Sequence, residues 1–308
     1  RALLLALLVR RREQLVGRWR RLRRLWWVLM GLRWEWLVVG RLQRRRLRGR
    51  WRILRWWRRR MVIESTRNPK VKAWRALRDR KERDRTGTFL IEGERESLRA
   101  AEHLEIRTTI LRADRFGIDL PSPVIVSDSV FAALSARQNP DGVAVVAATP
   151  DVSLDRFEIP PSGVCLIADG IEKPGNVGAM IRSADGFGAG FIGASLASDI
   201  VNPNAVRAAQ GSLFSTPLAS TRRDEAIAWA AAHTRPIVAD PTGSTPLWDT
   251  DLTGTPISLV IGSEHSGVDA AWLDVGSAVS IPLTGSADSL NASVAAAVFL
   301  AEASRQRR

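Results

Sequence analysis

From residue 163 to residue 308, short and almost unbroken apolar runs alternate with stretches of helical period, and that alternation permits few folds. The runs at 164–168, 190–194, 236–239, 257–261 and 279–283 read as strands, and 177–187, 204–209, 224–233, 270–273 and 290–304 read as helices. An apolar run with no polar face is a strand buried on both sides. The expected fold is therefore α/β, with a mostly parallel sheet carrying helices on both faces. Ligands of such sheets lie beyond the carboxyl ends of the strands, so the loops leaving those ends are where chemistry is expected.

Residues 61–149 write a smaller α/β unit. A helix over 69–85 runs into a turn at Thr86 and Gly87, followed by a strand at 88–91, a helix at 94–103 and a strand at 107–111. Strands at 124–126 and 143–148 complete it, with Ser127 capping a helix between them. Residues 150–162 hold three Pro and no sustained period, and read as a linker between this unit and the domain at 163–308.

Residues 1–60 use a different alphabet: 21 Arg against two Glu, eight of the twelve Trp, and no Lys, Asp, Asn, Ser, Thr, Pro, Phe, His or Cys. Such a chain lacks the side chains that cap helices and close turns, so no folded domain is expected there. The apolar stretch at 2–9 leads into three Arg with no small-residue cleavage site. The window 25–39 is interrupted by Arg33 and Glu35, short of the about 20 apolar residues of a membrane span. A Trp-rich interfacial helix or an RNA-binding arm is physically allowed. The reading adopted is a leader read through a GC-rich upstream stretch, not native or unfolded, with Met61 as the start. The boundary also divides the charge: the +14 of the whole chain is +19 before residue 61 and −5 after it. Net charge therefore says little about the folded part. At 45% apolar with one Cys, the chain is not disordered, collagenous or disulfide-built.

Three strand-end loops carry polar groups at helix mouths. The first, 169–185, reads DGIEKPGNVGAMIRSAD. In it Asp169 and Gly170 close a strand, Asn176 stands as N-cap, Gly178 lets another segment approach the first turn, and Arg182 follows six residues after Asn176. The second, 259–268, reads LVIGSEHSGV and ends a strand in Gly262, Ser263 and Glu264, with His265 next. It offers exposed backbone groups and a carboxylate, and it lacks the G-x-S-x-G elbow of a hydrolase. The third, 281–295, reads IPLTGSADSLNASVA, and its Ser289, Leu290 and Asn291 open the last helix. Each loop taken alone also reads as an ordinary capped turn. Gly188, Gly190 and Gly193 spell G-x-G-x-x-G, but they follow a helix and enter a strand, the reverse of a dinucleotide-binding turn.

Together and in this order, the three loops resemble the signature motifs of the SpoU/TrmH family of RNA 2′-O-methyltransferases, of the SPOUT class. Residues 202–214, NPNAVRAAQGSLF, resemble a further stretch of that family. Residues 65–101 resemble the substrate-binding domain that many members carry, similar to ribosomal protein L30e. The resemblance implies a deep trefoil knot in the C-terminal domain and a homodimer with its site at the interface. It implies S-adenosyl-L-methionine held by Leu259, Ile261, Gly262, Ile281, Leu283 and Leu290, largely through backbone. It places Arg182 beside the ribose 2′-hydroxyl, with Asn176 and Asn291 positioning Arg182 and the ribose, Ser289 bonding substrate, and Glu264 holding its loop and an arginine. Lys173 stands where the family often has Asp before the Pro, so a hydrogen bond made by that Asp is not expected here.

The implied function is methyl transfer to structured RNA in the cytoplasm, 23S ribosomal RNA ahead of transfer RNA. A non-catalytic, ribosome-associated RNA-binding module and a membrane-surface protein driven by residues 1–60 are the competing classes. RNA affinity needs cationic surface. Residues 67–85 supply nine Lys and Arg against three acids, with Arg67, Lys70, Lys72, Arg75, Arg78, Lys81 and Arg85 as expected contacts and Arg207, Arg222 and Arg223 as an extension. The same run also reads as a solvated helix face with pairs such as Arg78 and Glu82. Cys165 falls in a buried-looking strand, a lone Cys that fits a reducing compartment. Neither His103 nor His233 joins a metal-ligand spacing, and no metal is expected.

Overall fold

The computed structural model describes residues 62–115 and 118–308; the expectations for residues 1–61 lie outside the described residues. Two sheets build the unit from Met61 to Arg308.

The first sheet holds β1 (Val62–Ile63), β2 (Thr88–Glu92), β3 (Ile106–Arg112), β4 (Pro123–Val126) and β5 (Val143–Ala148), in the order β1-β4-β3-β5-β2. Its helices are α1 (Pro69–Ala76), α2 (Arg80–Thr86), α3 (Glu94–His103) and α4 (Asp128–Leu134). Alternation sorts the strand residues: Leu90, Val146 and Ile110 join Val71, Trp74 and Phe131 of α1 and α4 in one core. Phe89, Ile91, Val143 and Val145 face the other way, into a core shared with the larger sheet. Burying each such side chain stabilises by about 1.5–3 kcal/mol.

The single helix expected over 69–85 is two helices. Val71, Trp74 and Leu77 keep the helical period on the core side and are buried, but continuing the period would turn Arg78, Lys81 and Arg85 inward. The chain breaks instead after Leu77, the C-cap of α1, and Asp79 opens α2 with extended backbone. The buried guanidinium of Arg83 closes the break, donating to the Leu77 and Arg78 carbonyls at 2.9 and 2.7 Å. It also pairs with Asp199 of the larger sheet's side of the molecule. Ser127 caps α4 as expected, its hydroxyl accepting from the Val130 N–H.

The second sheet has seven strands, all parallel, in the order β10-β12-β9-β11-β6-β7-β8. They are β6 (Val164–Asp169), β7 (Gly190–Ala194), β8 (Leu218–Thr221), β9 (Arg235–Ala239), β10 (Thr245–Pro246), β11 (Ile257–Ile261) and β12 (Ser277–Ser280). Between them run α5 (Pro174–Gly186), α6 (Pro203–Ala209), α7 (Arg223–His233) and the closing α8 (Ala292–Gln306). One sheet face, with Leu166 and Leu259, packs on α5 and α8. The other, with Ile167, Val238 and Val260, packs on α7 and the fully buried Trp272. Burial on both faces is why β6 and β11 read as continuous apolar runs. Phe157, in the segment joining the two sheets, stacks edge-on against Trp229 of α7 at 5.3 Å.

The strand expected at 279–283 ends at Ser280, because its partner β9 ends at Ala239 and Pro282 has no N–H to continue a ladder. The third loop is correspondingly longer. The short β1, β8 and β10 carry too little pattern to be read in advance.

Candidate functional site

Because every strand of the second sheet is parallel, the carboxyl ends of β6, β11, β9 and β12 stand side by side. The loops leaving β6, β11 and β12 are the three singled out in the sequence. They meet at one carboxylate. Glu264 accepts from the Asn176 amide at 2.8 Å and from the Asn291 amide, and it pairs with the Lys173 ammonium. Bonds from Lys173 and then Asn176 hold the Glu264 carboxyl below its ordinary value near 4.5. Lys173, the departure noted above, is thus the cation of this site; among the described residues no arginine bonds Glu264.

Local sequence explains each position. Pro174 at the first helical turn starts α5 with Lys173, not Asn176, as N-cap. The expected cap is therefore corrected: Asn176 lies inside the first turn, its amide free to reach Glu264. Asn291 does cap its helix, its side-chain oxygen accepting from the Ser293 N–H at 3.0 Å while its amide turns to Glu264. Gly262 permits the fold of the second loop, since a Cβ there would lie 2.2 Å from the Gly267 backbone. Gly178 permits α6 to seat on α5, since a Cβ would lie 2.2 Å from the Ala205 carbonyl oxygen.

Arg182 is exposed on α5 and makes no side-chain hydrogen bond or ion pair among the described residues. It lies one turn beyond Gly178, about 40° around the helix, and so near the seam between α5 and α6. It is not in the Glu264 cluster: Asn176 and Asn291 bond the carboxylate and not Arg182. Ser289 is exposed in the third loop.

The residues expected at the cofactor divide in two. Leu259 and Ile261 are 0% and 2% exposed, so only backbone at that strand end can meet a ligand. Ile281 and Leu290 are half-buried and Leu283 is 39% exposed. Across 281–290 the backbone makes no hydrogen bond among the described residues. A run of free N–H and C=O groups beside apolar side chains suits a purine nucleoside with a polar edge and apolar faces, so these residues fit S-adenosylmethionine.

A second network supports the site and was not read from the sequence. Asp169, at the end of β6, has a fully buried side chain that accepts from Arg223 Nε at 2.7 Å and from the Asp269 N–H at 3.2 Å. Arg223 also donates to Asp269 at 2.9 Å. The three residues bind the end of β6, the start of α7 and the end of the second loop together. Arg223 is therefore corrected from surface cation to internal strut, and Arg222 is taken up by Asp224. In the sequence the only signal was a carboxylate at a strand end.

On the first sheet, Arg67, Lys70, Lys72, Arg75, Arg78, Lys81 and Arg85 are all exposed. Arg85 pairs with Glu82 at 2.7 Å and Arg80 with Asp84 at 3.6 Å, and the expected pairing of Arg78 with Glu82 does not form. Arg78 donates instead to the Leu134 and Ser135 carbonyls. Among the described residues no cluster of His, Cys, Asp and Glu is arranged to hold a metal, and no helix is long and apolar enough to cross a membrane.

A parallel sheet whose strand-end loops converge on one carboxylate, with an exposed arginine on the helix leaving the first loop and a ligand-ready backbone in the third, fits a nucleoside-binding α/β enzyme. Residues 163–301 match the SpoU rRNA Methylase family, and residues 68–145 match the MRM3-like substrate binding domain. The chain is 35% identical over 264 residues to the 23S rRNA (uridine(2479)-2′-O)-methyltransferase of Streptomyces viridochromogenes, covering 79% of this chain and 92% of that one. It is 33% identical over 246 residues to the 23S rRNA (guanosine(2553)-2′-O)-methyltransferase RlmP of Bacillus subtilis, covering 77% and 97%. The crystal structure of the SpoU methyltransferase AviRb from S. viridochromogenes in complex with AdoMet is similar at TM-score 0.72 and 34% identity, covering 78% of this chain and 98% of that one. The chain belongs to the SpoU rRNA methylase family, and its reaction class is RNA 2′-O-methylation.

Proposed function

We propose that the protein transfers a methyl group from S-adenosylmethionine to a ribose 2′-hydroxyl of 23S ribosomal RNA. The observation that carries this reading is the convergence of the three loops on Glu264 beside the unpaired backbone of 281–290. Ribosomal RNA is favoured over transfer RNA by the names of the two relatives and by the added substrate-binding domain. A cytoplasmic location goes with that substrate.

The cofactor supplies the methyl on its sulfonium, and the chain must align the hydroxyl and manage its proton. Arg182 has the free guanidinium for this. A guanidinium offers donors and no acceptor, so Arg182 orients the hydroxyl, stabilises developing alkoxide and engages a neighbouring phosphate, and does not take the proton outright. Asn176 and Asn291, with Glu264, fix the mouths of α5 and α8 about the ribose, and Ser289 adds a hydroxyl for substrate. Leu259, Ile261 and Gly262 contribute backbone to the cofactor pocket, and Ile281, Leu283 and Leu290 contribute apolar surface.

The enzyme works as a homodimer. Val294, Ala297 and Ala301 form a part-exposed apolar stripe at helical spacing along α8, with Val294 48% exposed, which favours a second copy against it. The same reading takes 61–149 as the RNA-gripping domain, 150–162 as its connection, 163–308 as the catalytic domain with the family's trefoil knot, and 1–60 as a leader outside both.

The test is mass-spectrometric mapping of 2′-O-methyls on 23S and transfer RNA transcripts incubated with the protein and S-adenosylmethionine. Methylation of 23S RNA is expected, with Arg182→Ala abolishing turnover while retaining cofactor binding. Near-normal turnover in that variant removes Arg182 from its role, and methyls confined to transfer RNA overturn the substrate.

A further inference from the structure

Helix α6 has two working faces. One seats on α5 through Gly178, and the other opens onto a cleft of about 370 Å³ between α6 and the edge strand β2 of the first sheet. Ligand sites begin at about this size. Its floor is apolar, formed by Leu77, Leu90 and Val206, all nearly buried yet lining the cleft. Its rim is cationic, formed by Arg78, Arg137 and Arg207.

The charges on that rim are poorly compensated. Arg207 bonds only the Asn204 side-chain oxygen, at 3.0 Å, and Arg78 bonds only backbone carbonyls. Neither has a carboxylate partner among the described residues. Arg137 lies 3.5 Å from Glu96. The one acid lining the cleft, Glu92, is engaged by the Ser135 hydroxyl at 2.7 Å and the Ala136 N–H at 3.0 Å, and its single charge stands against three guanidiniums. An apolar floor under a row of guanidiniums matches a flat aromatic ring joined to an anion.

We propose that this cleft receives an unstacked nucleotide of the RNA substrate, its base on Leu77, Leu90 and Val206 and its phosphate at Arg207 and Arg78. This rests on the RNA methyltransferase reading above and adds a second contact to it, apart from the methylated nucleotide. Position favours RNA over an acidic peptide. The cleft lies between α1, with Lys70, Lys72 and Arg75 exposed, and α6, which separates it from α5 and Arg182 by one helix diameter, about 10–12 Å. RNA running from the cationic helix to the active site passes over it, and single-stranded RNA is commonly read through splayed bases.

The test uses the full-length protein, S-adenosylmethionine and a 4-thiouridine-substituted transcript of 23S RNA, with near-ultraviolet crosslinking and peptide mapping. Crosslinks are expected in peptides containing Leu77, Leu90 or Val206. Arg207→Glu, a change at an exposed side chain, is expected to weaken transcript binding about tenfold and reduce those crosslinks, with melting temperature and cofactor affinity unchanged. Asn204→Ala is expected to lower crosslink yield without a change of charge. Transcript methylation with no crosslink in the cleft and unaltered binding by Arg207→Glu overturns the cleft assignment alone. Intact RNA binding with capture of a polyglutamate peptide by wild type but not Arg207→Glu overturns it in favour of a protein partner. Failure of the wild type to bind or methylate any RNA overturns the parent reading, and the cleft with it.

Discussion

Replacing Arg223 by Ala tests whether the site is held from behind. Arg223 is 36% exposed on its side chain, while Asp169 beneath it is fully buried. The variant leaves Asp169 with one remaining donor, the Asp269 N–H at 3.2 Å. Removing one partner of a buried ion pair costs about 3–5 kcal/mol, and the partial exposure of Arg223 favours the lower end, about 3 kcal/mol. For a unit of this size that is a fall in Tm of about 6–12 °C. Because the Asp269 carboxylate is also released, the second loop keeps only the Asp269 N–H bond to Asp169 as its anchor, and cofactor affinity should fall at temperatures where the protein is still folded. Thermal unfolding by circular dichroism at neutral pH gives the first quantity, and calorimetric titration with S-adenosylmethionine gives the second. The double variant Asp169→Asn with Arg223→Gln leaves no buried charge and should recover part of the loss. An Arg223→Ala protein melting within about 2 °C of wild type would show that Asp169 does not depend on this guanidinium. A double variant as unstable as the single would show that buried charge is not the cause.

Two further outcomes follow from the same structure. Glu264 is held below its ordinary value near 4.5, so its contribution to stability is complete above that pH and is lost as pH falls through the lower folded value. The difference in melting temperature between wild type and Glu264→Gln should be constant from pH 7 to about 5 and shrink under more acid conditions; a difference that grows on acidification refutes the assignment. Cys165 is 0% exposed and burial pushes its thiol up to about 12. It should resist alkylation at pH 8 in the native protein and react at once in denaturant, and rapid native labelling would contradict its burial.

Much of the second sheet was legible in advance because its strands are buried on both faces, and such strands announce themselves as unbroken apolar runs. The elements at 190–194 and 257–261 fall at the expected residues. The first sheet was harder. The run 69–85 has helix-forming residues throughout, and only the need to keep Arg78, Lys81 and Arg85 out of the core breaks it at Leu77. The cap of α5 was misplaced because two signals competed, and Pro174 at the helix start prevailed over the capping preference of Asn176. Lys173 looked like a loss when read against the family pattern. In the folded chain it supplies the ion pair on Glu264.

The sequence by itself determined the parallel α/β architecture, the three loops and the family, since all of these rest on local pattern and short-range spacing. Tertiary structure decided which side chains act together. Asn176, Glu264 and Asn291 are separated by 88 and 27 positions in the chain and meet on one carboxylate. Asp169 and Arg223 are 54 positions apart and form one strut. The cleft between β2 and α6 exists only because the two sheets pack together. Periodicity tells a residue which face of its own element it occupies. Which distant loop that face meets is fixed by strand order, and in a parallel sheet strand order is set by how the whole core packs.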